Sequence, residues 1–545
     1  VKAHGQPHLP SLWAPSKGPA SEGFEGRILG PLLVLALAVA LAGLPISTLL
    51  TAGLPVLALF IFRHPSLGLA LVAFGVPFGS LLALPLGGGA LTPTPLILAW
   101  TAFACALSLL AGQSRRPARS GLTHPIEALL TVEPRLRGPL IGLGVFSLAL
   151  LAAAWSAPNA LAAGFEIARW FELALALVLA TCLGLRATTE TKAAAPGGSI
   201  ADADSASVRR LNFVLLALLA AGGTQALLGL WMALSRIGPE PFAVLGGRLY
   251  RAHGSFGQPN PFAGYMNMIW PLGLGLLLYR LIRPGIGRGL LLAGLASALM
   301  SGFALIASWS RGGWLAAAAG AAAMALLWLA SAIHDRRSRA RGLWLAWAAG
   351  ILLFLALLGG AVERLPAGLT HRLASVGQTE RIWGLADAEV NDANFSTIER
   401  VAHWEAALGM WSERPWLGQG PGHYELSYAR FQLPRWSAAL GHAHNIYLNF
   451  LAETGLVGLA AFLGFWLSLL IFAAGLFLAP RSPLQGALGL GLFGILVATS
   501  VHGLLDNLFV HEMTLHLGLV AGLAAAAGRV STSQISASPQ PEPRP

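Results

Sequence analysis

The chain has 545 residues, 55% of them hydrophobic and only 11% charged, with a net charge of +11 and a mean hydropathy of +0.66. A soluble domain carries about 25% charged residues, so the composition excludes a large soluble core and indicates a polytopic membrane protein. The positive charge does not signal nucleic acid, because the basic residues sit in short segments between apolar runs.

Residues 1–27 are polar and rich in Pro and Gly, and are expected to form a disordered tail. The first apolar run begins near Ile28 and is followed by others, so no cleavable signal peptide is expected. Apolar runs lie near 28–44, 50–62, 66–84, 95–112, 138–156, 161–185, 211–234, 262–282, 290–309, 313–333, 343–361, 444–478, 486–502 and 513–527. A helix of about 20 residues crosses roughly 30 Å of hydrocarbon. The run 50–62 is short enough to be re-entrant. The run 444–478 is too long for one simple crossing, so its first turns are expected outside the hydrocarbon. Cys105 and Cys182 fall inside apolar runs and read as small apolar residues. The fold class predicted is an all-α polytopic membrane protein of about 12–14 transmembrane helices. Spans are expected over 28–361 and 444–527, with an extracytoplasmic loop domain at 362–443 and a disordered tail at 528–545.

Arg and Lys set the orientation. With the N-terminus inside, every lysine and most arginines fall on the inner side, and both termini are cytoplasmic. The outer segments at 45–49, 85–94, 157–160 and 503–512 carry no Arg or Lys. Arg169 and Glu172, at spacing three within the run 161–185, are expected to pair. In the large outer segment, Val401, Trp404, Leu408 and Trp411 predict an amphipathic helix with Glu399 and His403 on its opposite side. The stretch Arg414-Pro415-Trp416-Leu417-Gly418-Gln419-Gly420-Pro421-Gly422 ends it.

Four polar clusters on the outer side could carry chemistry. Arg248 and Arg251 lie in an irregular loop with Gly254, Gly257, Pro259, Asn260 and Pro261; they suit either an anion, whose oxygens match the guanidinium fork, or lipid headgroups. Arg311, between Ser310 and Gly312-Gly313, has almost no loop to extend from; an anion site and a headgroup anchor flanked by Trp309 and Trp314 are both open. The stretch 441–458 holds His442, His444, Asn445, Tyr447, Asn449 and Glu453 at a membrane entry. A helix starting near 443 would align Asn445, Asn449 and Glu453 in one polar stripe, and a neutral imidazole there can take a proton from a hydroxyl. His-x-His alone is weak evidence for metal, so none is expected. The fourth cluster is His502, Asp506, Asn507, His511 and Glu512; it could orient a histidine or bind a sugar hydroxyl, or be a solvated loop.

Taken together, these segments resemble the O-antigen ligase and polymerase family of bacterial envelope glycosyltransferases. The resemblance is carried by Arg251-x-x-Gly254-x-Phe256-x-x-Pro259-Asn260-x-Phe262-Ala263, Ser310-Arg311-Gly312-Gly313-Trp314, Arg400-x-x-x-Trp404, Pro415-x-x-Gly418-x-Gly420-x-Gly422 and His442-x-His444-Asn445-x-Tyr447-Leu448. It implies transfer of a glycan from a polyprenyl (undecaprenyl) diphosphate carrier to a lipid, glycan or protein hydroxyl. The setting implied is the extracytoplasmic face of a bacterial inner membrane, with no cofactor or metal and no nucleic-acid partner. Arg251, Arg311 and Arg248 would bind diphosphate. His444 would activate the acceptor, with His442 as the alternative. Asn260, Asn445, Tyr447, Glu453 and Asp506 would bind substrate or support the site. Ligase, polymerase and protein O-oligosaccharyltransferase share these motifs. A small-solute or inorganic-carbon transporter is the competing class, disfavoured because polar groups crowd the outer face rather than the midplane.

Overall fold

The computed structural model describes residues 46–86, 89–113, 129–130, 132–155, 157–194, 200–332, 390 and 395–529. The runs 28–44 and 343–361, both tails, and most of 362–394 lie outside the described residues. The chain divides into two compact units, 1–63 and 64–545. In the first, one apolar helix is described, α1 (Ile46–Arg63), with Pro55 inside it.

Among its described residues the second unit is mostly helical. In chain order it contains α2 (Pro65–Gly75, continued by a 3-10 turn to Leu82), α3 (Pro93–Gln113), α4 (Arg137–Ala154), α5 (Ala160–Ala194) and α6 (Ile200–Leu234). Then come α7 (Pro259–Ile282), α8 (Arg288–Ala307), α9 (Arg311–Ala332), α10 (Phe395–Glu413), α11 (Tyr424–Tyr428), α12 (Ile446–Leu478), α13 (Pro483–His502) and α14 (Met513–Ala526). Among the described residues the strands form two short antiparallel hairpins: β1 (Leu84–Leu86) with β2 (Gly89–Leu91), and β3 (Ala243–Val244) with β4 (Leu249–Tyr250). Among the described residues, eight helices are long and apolar enough to cross a membrane, and three shorter apolar helices accompany them. Every predicted run inside the described residues coincides with a helix. The protein is an all-α polytopic membrane protein.

With lipid tails as apolar as leucine, helices associate by close packing rather than by expulsion of water. Gly518 and Gly522 on α14 form such a contact. A Cβ on either would run into the backbone carbonyls of Leu173 or Leu177 on α5. Beneath the loop 503–512 lies an aromatic cluster from four elements. Phe146 and Trp170 have ring centroids 4.9 Å apart, Phe450 and Phe462 4.3 Å, and Trp170 and Phe509 4.9 Å. This cluster holds the loop from below. Arg169 adds a hydrogen bond to the Phe509 carbonyl at 3.0 Å. The expected Arg169–Glu172 pair is not formed: Arg169 pairs with Glu166 at 2.6 Å. Both partners lie one helical turn from Arg169, and its bond to the loop 503–512 selects the side facing Glu166.

At the other end of α12 and α13, Glu133 is fully buried. It accepts two hydrogen bonds from the Arg135 guanidinium, at 2.7 and 2.9 Å, and one from Gln485 at 2.7 Å. Arg135 also donates to the Gly475 and Ala479 carbonyls that end α12. Burial opposes the Glu133 carboxylate, yet Arg135 and Arg481 hold its pKa below the ordinary value.

Candidate active site

Helix α12 begins at Ile446, not near 443, and is two helices joined at a break at Gly455 (φ 64°, ψ −165°). That conformation belongs to glycine, and the break exposes backbone groups that need partners. The segment Pro415–Gly420 supplies them. Gln419 and Gly420 donate their N–H groups to the Ala452 and Glu453 carbonyls, and Leu456 and Val457 donate theirs to Pro415 and Trp416. Gly418 (φ +68°) and Gly455 lie so close to the opposing backbone that a Cβ on either would overlap it. The glycine-rich motif is therefore a backbone clamp on a broken helix.

The expected polar stripe does not form. Asn445 is the N-cap of α12, accepting from the backbone of Tyr447 and Leu448 and donating to the Leu504 carbonyl at 3.0 Å. Asn449 accepts from the Ala443 N–H, and Tyr447 donates to the Ser500 carbonyl. Glu453 accepts from the N–H groups of Gly422 and Tyr424. These four side chains shape the site through the backbone. The displacement by three residues follows from Asn445, whose side chain stops the helix running further back.

Two histidines precede this cap. His444 has φ +50°, a left-handed conformation uncommon outside glycine. Its backbone N–H donates to His442 Nδ1 at 3.1 Å, and the two rings meet edge to face at 4.5 Å. Its own Nδ1 lies 3.3 Å from Asp506 Oδ1, and His442 Nε2 lies 3.8 Å from the same oxygen. Asp506 is buried. Burial works against its charge, but the hydrogen bond from His444 and the charges of His442, His444 and Arg400 hold its carboxyl well below the usual carboxylate range.

These contacts fix proton positions. A carboxylate only accepts, so His444 carries its proton on Nδ1 and presents a lone pair at Nε2. That Nε2 is buried and has no hydrogen-bond partner. His442 uses its Nδ1 lone pair on the His444 N–H, so the neutral ring holds its proton on Nε2, facing Asp506. Burial lowers the His442 pKa to about 4, the Asp506 charge only partly offsetting it.

His442, His444 and Asp506 place three ligand atoms within 4.8 Å of one another, near enough for a metal ion. Both imidazole nitrogens facing the carboxylate, however, carry protons where a metal needs lone pairs. The same donor set can hold a proton or, with those protons released, a metal ion.

Helix α10 covers the histidines, and its buried face differs from the expected one. Ile398, Val401, Ala402, His403, Ala406, Ala407 and Met410 are buried, whereas Trp404, Leu408 and Trp411 are half-buried. The alanines give this face a weak hydrophobic signal but permit close approach to α12. His403, expected on the open side, is 1% exposed. Its Nδ1 lies 2.9 Å from the Tyr424 hydroxyl, and its ring stacks on Tyr428 at 4.8 Å and meets His444 edge-on at 5.3 Å. Burial, then the charges of His444 and His442, lower the His403 pKa to about 4. Trp404 donates to the His444 carbonyl.

The arginines gather on the next side. Arg251 donates to the Ser308 carbonyl at 2.9 Å and to Asn260 Oδ1 at 3.3 Å, and Ser310 donates to the same Asn260 oxygen at 2.9 Å. Asn260 thus ties the 248–260 loop to the start of α9. Arg311 donates to Ser396 Oγ at 3.1 Å, and Arg400 donates to the Ser396 carbonyl at 2.9 Å. Arg400 also donates to the Leu505 carbonyl at 3.0 Å, next to Asp506. Hydrogen bonds therefore run from Arg251 through Asn260 to Ser310, and from Arg311 through Ser396 and Arg400 to Leu505. Arg248 stands at the β3–β4 hairpin, and the bonds that lock Arg251 do not involve it.

Residues 295–463 match the family model described as O-antigen ligase. This stretch is similar to the O-antigen ligase family. None of the curated proteins compared matches the chain. The similarity supports a glycosyltransferase-like membrane enzyme of the ligase and polymerase type. The matched O-antigen ligase stretch contains Arg311, Arg400, His442 and His444; Arg251, Asn260 and Asp506 lie outside it and are joined to it by the bonds above. Arg400 was visible in the sequence as part of a motif but not as a site residue. His403 was read only as lying opposite an apolar helix face, and His502 only as a member of the fourth outer cluster.

Proposed function

We propose that the protein moves a glycan from a polyprenyl diphosphate carrier to an acceptor hydroxyl on the extracytoplasmic face of a bacterial inner membrane, both termini being cytoplasmic. His444 is the general base, Asp506 orients it, and Arg251 and Arg311 bind the diphosphate. The observation that carries the reading is the Asp506–His444 hydrogen bond at 3.3 Å, with His444 Nε2 buried and unpartnered. A buried lone pair without a partner calls for an explanation, and a substrate hydroxyl supplies one. The same bonds favour His444 over His442, whose Nδ1 is taken up by the His444 backbone and supports the turn.

In the reaction the acceptor oxygen attacks the anomeric carbon while His444 Nε2 removes its proton. The bond from that carbon to the diphosphate oxygen breaks, and the leaving group keeps the electron pair. Arg251 and Arg311 stabilise the charge that builds on it, which removes the need for a divalent ion. A base opposite the leaving group gives inversion at the anomeric carbon. The positive-inside asymmetry supports the orientation. The histidines and arginines lie at helix ends, which suits an interfacial lipid substrate better than a transported solute.

The test is incubation of the purified protein with a lipid-diphosphate glycan and candidate acceptors, followed by mass analysis of what gains sugar. His444→Ala and Arg311→Ala are expected to abolish transfer while the protein remains inserted. Excess chelator is expected to leave transfer intact. Normal transfer by His444→Ala would refute the assigned base.

A further inference from the structure

Phe395, Glu399 and His403 follow at four-residue steps and share one side of α10. Further along, that side is closed: Ala402, His403, Ala406 and Met410 are buried. At the first turn it is open, with Phe395 46% exposed and Glu399 half-buried. The Trp436 ring, also half-buried, meets the Phe395 ring at 5.2 Å with a tilt of 54°. Trp436 is held in place by its backbone. Its N–H donates to the Leu433 carbonyl at 2.9 Å, and its carbonyl accepts from the Tyr428 hydroxyl at 2.8 Å. Tyr428 stacks on His403, whose ring meets His444. Glu399 stands between the two ends of this series. Burial raises its pKa, and the charges of His444 and then Arg400 act against that rise. The neighbouring edge of α10 faces the arginines: Ser396 accepts from Arg311, and Arg400 donates to the Leu505 carbonyl.

We infer that Phe395 and Trp436 form a stacking platform for the acceptor and that Glu399 accepts one of its hydroxyl protons, so that the acceptor is an oligosaccharide rather than a polypeptide or a bare lipid alcohol. This rests on the proposed transfer with His444 as base. A sugar ring carries C–H groups on its faces and hydroxyls around its edge. Aromatic faces suit the first by apolar burial and weak C–H contacts, and a carboxylate only accepts, which suits the second. The diphosphate arginines lie along the Ser396 edge, so the Phe395 edge, which leads to the base, belongs to the acceptor. From Phe395 to His403 the helix rises about 12 Å. The platform therefore holds a sugar removed from the one whose hydroxyl His444 deprotonates.

The experiment offers the full-length protein in detergent a lipid-diphosphate glycan with a panel of acceptors: short oligosaccharides, a serine-containing peptide and a long-chain alcohol. Mass analysis identifies which gains sugar, and initial rates give KM and kcat for each variant. The oligosaccharides are expected to gain sugar. Trp436→Ala and Phe395→Ala are each expected to raise the acceptor KM about tenfold, the size of one aromatic contact, with donor KM unchanged and kcat near the wild-type value. Trp436→Phe keeps a ring and is expected to recover most of the loss. Glu399→Gln is expected to raise the acceptor KM as well, while its Tm stays close to the wild type. If the peptide or the alcohol gains sugar and the oligosaccharides do not, the acceptor class is refuted and the transfer reading stands. Wild-type acceptor KM in both Trp436→Ala and Phe395→Ala would remove the platform. If nothing in the panel gains sugar from the wild-type protein, the transfer reading fails and this inference with it.

Discussion

At the scale of single residues, the site depends on which nitrogen holds a proton. Asp506 sets the His444 tautomer, as the carboxylate does in a Ser-His-Asp triad, so replacing it should damage turnover more than binding. Asp506→Asn is expected to lower kcat by about 10²–10⁴-fold with donor KM near the wild-type value, read from initial rates; an unchanged kcat would remove the orienting role. The family resemblance put His444 ahead of His442, and placed Asp506 among the supporting residues, but spacing alone could not order the histidines. The order comes from a backbone N–H at position 444 that takes the lone pair of His442. No pattern of side chains records that bond.

The same residues give a pH dependence of stability. His403 and His442 have pKa values lowered by burial from 6.5 to about 4. Between those values the unfolded chain binds the protons that the folded one refuses, so stability rises with pH there. Their contribution is present in full above about pH 6.5 and declines as pH falls toward 4. Thermal unfolding in detergent should show Tm dropping between pH 7 and pH 5. His403→Asn should flatten that slope, while a slope identical to the wild type would contradict the assignment.

At the scale of elements, α12 and the Pro415–Gly420 clamp form one unit. Neither closes its backbone hydrogen bonds without the other. Gly455→Ala would place a Cβ on the Trp416 backbone at a position with φ +64°, and is expected to cost more than about 3 kcal/mol. Proteolysis should then cut near residues 415–422, and protection equal to the wild type would count against the clamp. The sequence showed the glycines and the helix but not their pairing, because the clamp joins segments about 40 residues apart through backbone atoms. The α10 face was misjudged for a related reason. Tryptophans dominate a hydrophobic pattern, whereas the alanines that let α10 approach α12 hardly register in it.

At the scale of the molecule, the site end and the opposite end of the bundle are held differently. Glu133, fully buried, joins Arg135, Arg481 and Gln485 and fastens the α12–α13 connection. Removing one partner from such a group leaves uncompensated charge. Glu133→Ala is therefore expected to destabilise the bundle by about 3–5 kcal/mol, read as a lower Tm in detergent, without altering the donor KM of the protein that remains folded. A donor KM shift without loss of Tm would show that this end communicates with the site instead of only fastening the bundle.

The sequence by itself determined the class of fold. Apolar runs of membrane-spanning length must close their backbone hydrogen bonds internally, and only helices suit such runs. It also determined the candidate chemistry, because arginine and histidine in this order at helix ends are costly to keep near lipid without a role. Tertiary structure decided which of these groups meet. It brought Asp506 to His444, Arg400 between Arg311 and Asp506, and Trp436 to Phe395. It also turned the expected stripe of Asn445, Asn449 and Glu453 into backbone supports. Those outcomes depend on hydrogen bonds between distant segments, which local periodicity does not encode.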